Sequence, residues 1–182
     1  RGAHITLGGG EPTLHPEFWR FITYGMAHGN VWLATNGSQT DTALTLCKMA
    51  KKGLISVALS LDDYHDPIDE RVIEAFSEGM KPYKYEGYVE QFPEDECDGR
   101  SIRSVEKPFP GGRALDFKDE NLRQGCPCNE AQVKVNGDIY ACGCTDSPKI
   151  GSIQEGIKDE KWRYYDMFEG CWKEDNPVMR RN

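Results

Sequence analysis

No apolar run in this 182-residue chain approaches the ~20 residues that a membrane-spanning helix needs, and no secretory or transit leader opens it. Both absences argue for a cytoplasmic protein with no membrane partner. An excess of positive charge is also missing. Lys and Arg number 22 against 30 Asp and Glu, leaving a net charge of −8 and a pI near 5.1. A broad phosphate-neutralising face is therefore excluded, and no nucleic-acid partner is expected. What is present suits a globular protein: 38% hydrophobic and 29% charged residues, with enough length to bury a core without staples. One domain, or one domain plus a small appendage, is expected. The seven cysteines are odd in number and clustered, which fits metal ligation in a reducing compartment better than a disulfide framework. The first residue is Arg1, and an apolar segment follows at once; the expectation is that something precedes it in the full protein.

Three short apolar runs read as strands: Ile5-Thr6-Leu7, Val31-Trp32-Leu33-Ala34 and Ile55-Ser56-Val57-Ala58-Leu59. They are near-continuous rather than alternating, as in parallel strands covered on both faces. A helical pattern follows each. The first covers residues 16–28, with Phe18, Phe21, Ile22 and Met26 inward. The second covers residues 41–52, with Ala43, Leu44, Leu46, Cys47 and Ala50 inward. The third begins near residue 66, carries Ile68, Val72, Ile73 and Phe76, and stops at Gly79. Leu7, Leu33 and Leu59 recur 26 residues apart, the mark of a repeated β–α unit. The topology then brings the carboxyl ends of the strands to one rim, where α/β folds bind ligands. The loops there are Gly8-Gly9-Gly10-Glu11-Pro12-Thr13, Thr35-Asn36-Gly37-Ser38 and Ser60-Leu61-Asp62-Asp63-Tyr64-His65.

Beyond Gly79 the pattern degrades, with one further strand at Ile102-Arg103-Ser104-Val105. A domain boundary is placed between residues 115 and 121, dividing the chain into residues 1–115 and 116–182. In the second part Asn136-Gly137 separates two β-prone runs, a strong hairpin signal. A last amphipathic segment spans residues 152–168.

The glycine-rich loop is not a phosphate loop. The dinucleotide fingerprint needs a glycine where Thr13 stands, and the P-loop Gly-Lys-Ser/Thr is missing. An acidic residue in mid-loop suits a ligand ammonium better than a phosphate. Taken in its setting, Gly9-Gly10-Glu11-Pro12, after a strand and before a helix, resembles the Gly-Gly-Glu-Pro motif of radical S-adenosylmethionine (SAM) enzymes. Residues 31–38 (VWLATNGS) and 57–66 (VALSLDDYHD) look like the third and fourth strands of that family's partial barrel. The resemblance covers residues 4–79 and implies an α/β fold, a partial (βα) barrel with parallel strands. It implies SAM bound at Gly9, Gly10, Glu11 and Pro12, with Thr35, Asn36, Ser60 and Asp62 contacting its ribose and carboxylate. It further implies an enzyme that makes a 5′-deoxyadenosyl radical for hydrogen abstraction, an electron donor, and a peptide or small-molecule substrate undergoing modification or dehydrogenation. One departure stands out. The family's Cys-x3-Cys-x2-Cys, which holds the SAM-binding 4Fe–4S cluster, occurs nowhere in the chain. The sequence thus looks like the family's barrel without its first β–α unit.

Cys126, Cys128, Cys142 and Cys144 flank the hairpin as two Cys-x-Cys pairs. Four thiolates meeting there would suit tetrahedral zinc or an iron–sulfur cluster, and spacing does not separate the two. This arrangement, with the upstream Gly111-Gly112-Arg113-Ala114, resembles the SPASM and twitch extensions, implying one auxiliary 4Fe–4S cluster; Cys171 could replace one ligand. Cys47 reads as a core residue. His4 and His28 read as structural or exposed, and His15 and His65 as rim residues able to hydrogen-bond or handle protons. Tyr83, Tyr85 and Tyr88 line a cleft or cover the barrel. Two other readings compete with the enzyme: a non-catalytic zinc- or iron–sulfur-binding interaction module on the same fold, and a β–α enzyme using the rim for an ordinary nucleotide.

Overall fold

A computed structural model of the chain describes residues 3–85, 88–94, 98–105, 131–141 and 147–158. The chain divides into two compact units, Arg1–Glu106 and Lys107–Asn182.

The first unit is a mixed α/β structure with a mostly parallel sheet. Its strands are β1 (Ala3–Leu7), β2 (Gly29–Thr35), β3 (Ser56–Ser60), β4 (Met80–Tyr85), β5 (Tyr88–Pro93) and β6 (Arg100–Val105), and its helices are α1 (Phe18–His28), α2 (Thr40–Lys51) and α3 (Glu70–Ser77). The sheet order is β1-β2-β3-β6-β5-β4. β1, β2, β3 and β6 pair in parallel, while β5 runs antiparallel to both β6 and β4. The fully parallel expectation is corrected here. The segment after α3 is a β4–β5 hairpin rather than another β–α unit, because residues 80–93 carry no helical apolar stripe. Among the described residues β1 and β4 are the open edges, and no pairing closes the sheet into a barrel.

Apolar residues on one face of the sheet build the core. Val31, Leu33, Val57, Leu59 and Ile102 form a single buried cluster with Phe18 and Ile22 of α1, Leu46 and Cys47 of α2, and Val72 and Phe76 of α3. Alternate strand residues project the other way. These are Trp32, Ala34, Ala58, Ser60, Ser101 and Arg103, and none belongs to that cluster. Ala58 is fully buried and Ser60 and Ser101 nearly so, so β3 is covered on both faces, as its near-continuous run suggested, whereas β2 alternates buried and partly exposed residues. Two helix details differ from expectation. Phe21 is 46% exposed and its ring lies 5.0 Å from that of His15. Helix α3 begins at Glu70 because Asp69 caps it, accepting from the Arg71 amide at 3.0 Å; Pro67 lies upstream, outside the helix.

A buried ion pair ties α3 to β6. The side chains of Arg100 and Asp98 are 5% and 11% exposed and 2.6 Å apart. Arg100 also donates to the carbonyls of Ala75, Phe76 and Glu78 at the end of α3, satisfying groups that a helix end leaves open.

The second unit holds a four-stranded antiparallel sheet: β7 (Gln132–Val133), β8 (Asp138–Tyr140), β9 (Lys149–Ser152) and β10 (Gly156–Ile157), in the order β10-β9-β8-β7. The Asn136-Gly137 hairpin forms as expected, with the Gly137 amide donating to the Lys134 carbonyl at 2.9 Å. Residues 152–157 form a tight β turn and strand, which corrects the first part of the expected amphipathic segment. The anticipated boundary at 115–121, the Gly111-Gly112-Arg113-Ala114 stretch, and Cys126, Cys128, Cys142, Cys144 and Cys171 lie outside the described residues.

Candidate functional site

Parallel pairing of β1, β2 and β3 in sequential order places their carboxyl ends side by side. The loop after β1 begins with Gly8, Gly9 and Gly10, all exposed, and a Cβ on any of them would meet nothing within 4 Å. Of the three, only Gly9 needs to be glycine on conformational grounds, with φ of +139°. Pro12 then starts a short 3-10 turn, Pro12–Leu14.

Glu11 is the organising residue of this loop. Its Oε1 accepts from the Thr13 amide at 3.1 Å, the Thr13 hydroxyl at 2.6 Å and the Thr35 hydroxyl at 3.0 Å, and its Oε2 accepts from the Asn36 amide at 2.6 Å. All four partners are donors, so an acceptor-only carboxylate is the group that fits. The side chain therefore clasps the β1 loop to the end of β2 and is spent on the chain itself. Any contact from this loop to a ligand falls to backbone groups. The β2 end is in turn fixed by Gly37, whose φ of +75° and whose close approach to Ile68 and Leu59, 2.7 and 3.0 Å from a built Cβ, both demand glycine.

The loop after β3 lines a cavity of about 470 Å³ whose wall includes Asn36, Ser60, Asp62 and His65 together with the apolar Ile68 and Ile73. This volume lies in the range that small-ligand sites occupy. Asp63, Asp66 and Glu70 also line it, which gives its wall an acidic character. Of the expected site residues, Asn36, Ser60 and Asp62 share this cavity. Gly9, Gly10, Glu11, Pro12 and Thr35 are outside its wall, and the first loop reaches it through the Glu11–Asn36 bond. The Asp62 side chain is 5% exposed and accepts from His65 Nδ1 at 2.7 Å and from the Tyr64 amide at 3.1 Å.

Sequence reasoning passed over Arg103. On β6 it donates from Nε to the Ser60 hydroxyl at 3.0 Å, and its guanidinium lies 5.7 Å from the Trp32 ring centre. Its strand was expected, but the pairing of β6 with β3 across the β4–β5 hairpin carries no local signal. His15 accepts from the Glu17 amide at 3.1 Å, and His28 stacks on Tyr24 at 4.1 Å, so both are engaged in α1 and its entry. Cys47 is 2% exposed and donates to the Ala75 carbonyl; burial pushes its thiol pKa up. It is no metal ligand, and no group of three His, Cys, Asp or Glu able to hold a metal occurs among the described residues.

Part of the chain aligns with mycofactocin maturases MftC. It is 32% identical over 78 residues to that of Mycobacterium ulcerans, 33% over 70 residues to that of Mycolicibacterium smegmatis, and 37% over 60 residues to that of Mycobacterium tuberculosis. These stretches cover 42%, 38% and 32% of this chain, and 21%, 18% and 15% of the relatives. The chain is similar in sequence to radical SAM maturases. The aligned region spans about a fifth of the first of those relatives. No protein-family model matches the chain, and no solved structure does so significantly. Among the described residues no helix is long and apolar enough to cross a membrane.

Proposed function

We propose that this chain forms the SAM-binding part of a radical SAM enzyme that modifies a peptide. The observation that carries the reading is the Glu11 clasp, which joins the Gly-Gly-Glu-Pro loop to the end of β2 beside a cavity of ligand size. With Glu11 engaged, the backbone of Gly9 and Gly10 is left bare for the amino group of SAM. Asn36 and Ser60 offer an amide and a hydroxyl to its ribose, and Arg103, bonded to Ser60, supplies a cation near enough to assist with the carboxylate. The acidic wall suits the sulfonium and ammonium charges.

A reduced 4Fe–4S cluster would supply the electron for radical chemistry on SAM. The residues of this chain do not fit the cluster itself: none of its cysteines has the Cys-x3-Cys-x2-Cys spacing, and Cys47 is in the core. The part assigned to the chain is to bind and orient SAM and to limit water at the strand ends. An auxiliary cluster or zinc at Cys126, Cys128, Cys142 and Cys144 belongs to the same proposal, as do an electron donor and a peptide substrate. Anaerobic iron–sulfide loading of the complete polypeptide that the gene encodes, followed by reductant and SAM, tests the reading. It predicts saturable SAM binding and release of 5′-deoxyadenosine. No binding and no 5′-deoxyadenosine would overturn it.

A further inference from the structure

The loop after β3 was expected to offer the Asp62 carboxylate to a ligand. The geometry points to a different group: we propose that His65 is the ligand contact, its Nε2 accepting a hydrogen bond from a ligand O–H or N–H in the cavity, and that Asp62 is its positioning residue. This rests on the SAM-binding reading and goes beyond it by naming a contact and its tautomer.

Asp62 is a charged side chain left only 5% exposed, and it lies 2.7 Å from His65 Nδ1. A buried carboxylate is stabilised by hydrogen-bond donors, and Asp62 Oδ1 accepts from two within its own loop, the Tyr64 amide and the imidazole. That oxygen is thus committed to its own loop before any ligand arrives. The same bond orders the imidazole. A carboxylate opposite Nδ1 requires that nitrogen to carry the proton, so in the neutral ring Nε2 holds the free lone pair. The ring is 35% exposed and shares the cavity wall with Asn36 and Ser60. The result is an oriented acceptor next to two neutral polar side chains. Ligand groups that match it are hydroxyl or ammonium donors, and SAM carries both, on its ribose and on its methionine portion.

The test uses nitrogen-15 spectra of the histidine rings in the full chain, alone and with SAM, methionine or 5′-methylthioadenosine added. In the neutral ring the proton is expected on Nδ1 rather than Nε2, and Asp62→Asn should weaken that preference. Saturation with SAM should shift the Nε2 signal. A matching shift with 5′-methylthioadenosine assigns the contact to the ribose, and one with methionine assigns it to the ammonium. His65→Gln should weaken SAM binding about tenfold with an unchanged circular dichroism spectrum. A protonated Nε2 with free Nδ1, or SAM binding that leaves the Nε2 signal in place, would overturn the inference while the SAM reading stands. Absence of SAM binding would overturn both.

Discussion

The helix-covered face of the first unit and the rim of its strands use their residues in opposite ways. On the covered face Leu33, Leu59, Val72 and Phe76 are fully buried and interlock by shape. At the rim two carboxylates do the organising. Glu11 reaches across to a neighbouring loop, whereas Asp62 turns back on its own loop and holds an imidazole. The contrast teaches that stability and ligand geometry are separable here. Changes on the covered face should unfold the unit, and changes at the rim should alter binding in a protein that stays folded.

The largest effect is expected from Phe76→Ala, which should lower unfolding stability by about 3–5 kcal/mol by opening a cavity in the core, measured by denaturant titration. Arg100→Ala should approach it, at roughly 3–5 kcal/mol, since Asp98 would be left buried without its partner. Gly37→Ala comes next, at about 1–3 kcal/mol, for the left-handed conformation alone, with the clash against Ile68 adding to it. Glu11→Gln puts an NH2 donor among four donors. It should cost about 1–3 kcal/mol if the loops stay buried, with a larger proportional loss in SAM binding than in stability. If Glu11→Gln unfolds the protein as readily as Phe76→Ala does, the separation of the two regions fails.

Two smaller effects sharpen the contrast. Burial raises the Cys47 pKa, so at mildly alkaline pH its thiol should alkylate far more slowly in the folded protein than in denaturant, as a thiol-reagent time course would record. Hydrogen bonding from Arg71 holds the Asp69 carboxyl below its ordinary value. A depressed carboxyl stabilises the fold above its unfolded pKa, and that contribution disappears as pH falls through the folded value. Asp69→Asn keeps the cap but removes the charge, so its Tm deficit at neutral pH should vanish in acid.

Much of this arrangement was legible because it is local. The 26-residue recurrence of Leu7, Leu33 and Leu59 located β1 to β3, and Asn136-Gly137 located the hairpin of the second unit. The burial of Cys47 followed from its place on the α2 stripe. What could not be read is non-local. The β4–β5 hairpin separates β3 from its sheet neighbour β6, so the approach of Arg103 to Ser60 spans 43 residues without a pattern to announce it. The direction of a side chain was equally hidden: Glu11 and Asp62 were recognised as rim carboxylates, yet which donors each would face depended on how neighbouring loops closed. Phe21 reads as part of the inward stripe by spacing, but only the packed structure shows it turned toward His15.

Equilibrium dialysis of SAM against the wild-type chain and Glu11→Gln, with circular dichroism on both, tests the central claim most directly. One saturable site is expected in the wild type and at least tenfold weaker binding in the folded variant, about 1.4 kcal/mol. Equal affinity in the two proteins, or no binding by the wild type, would contradict it.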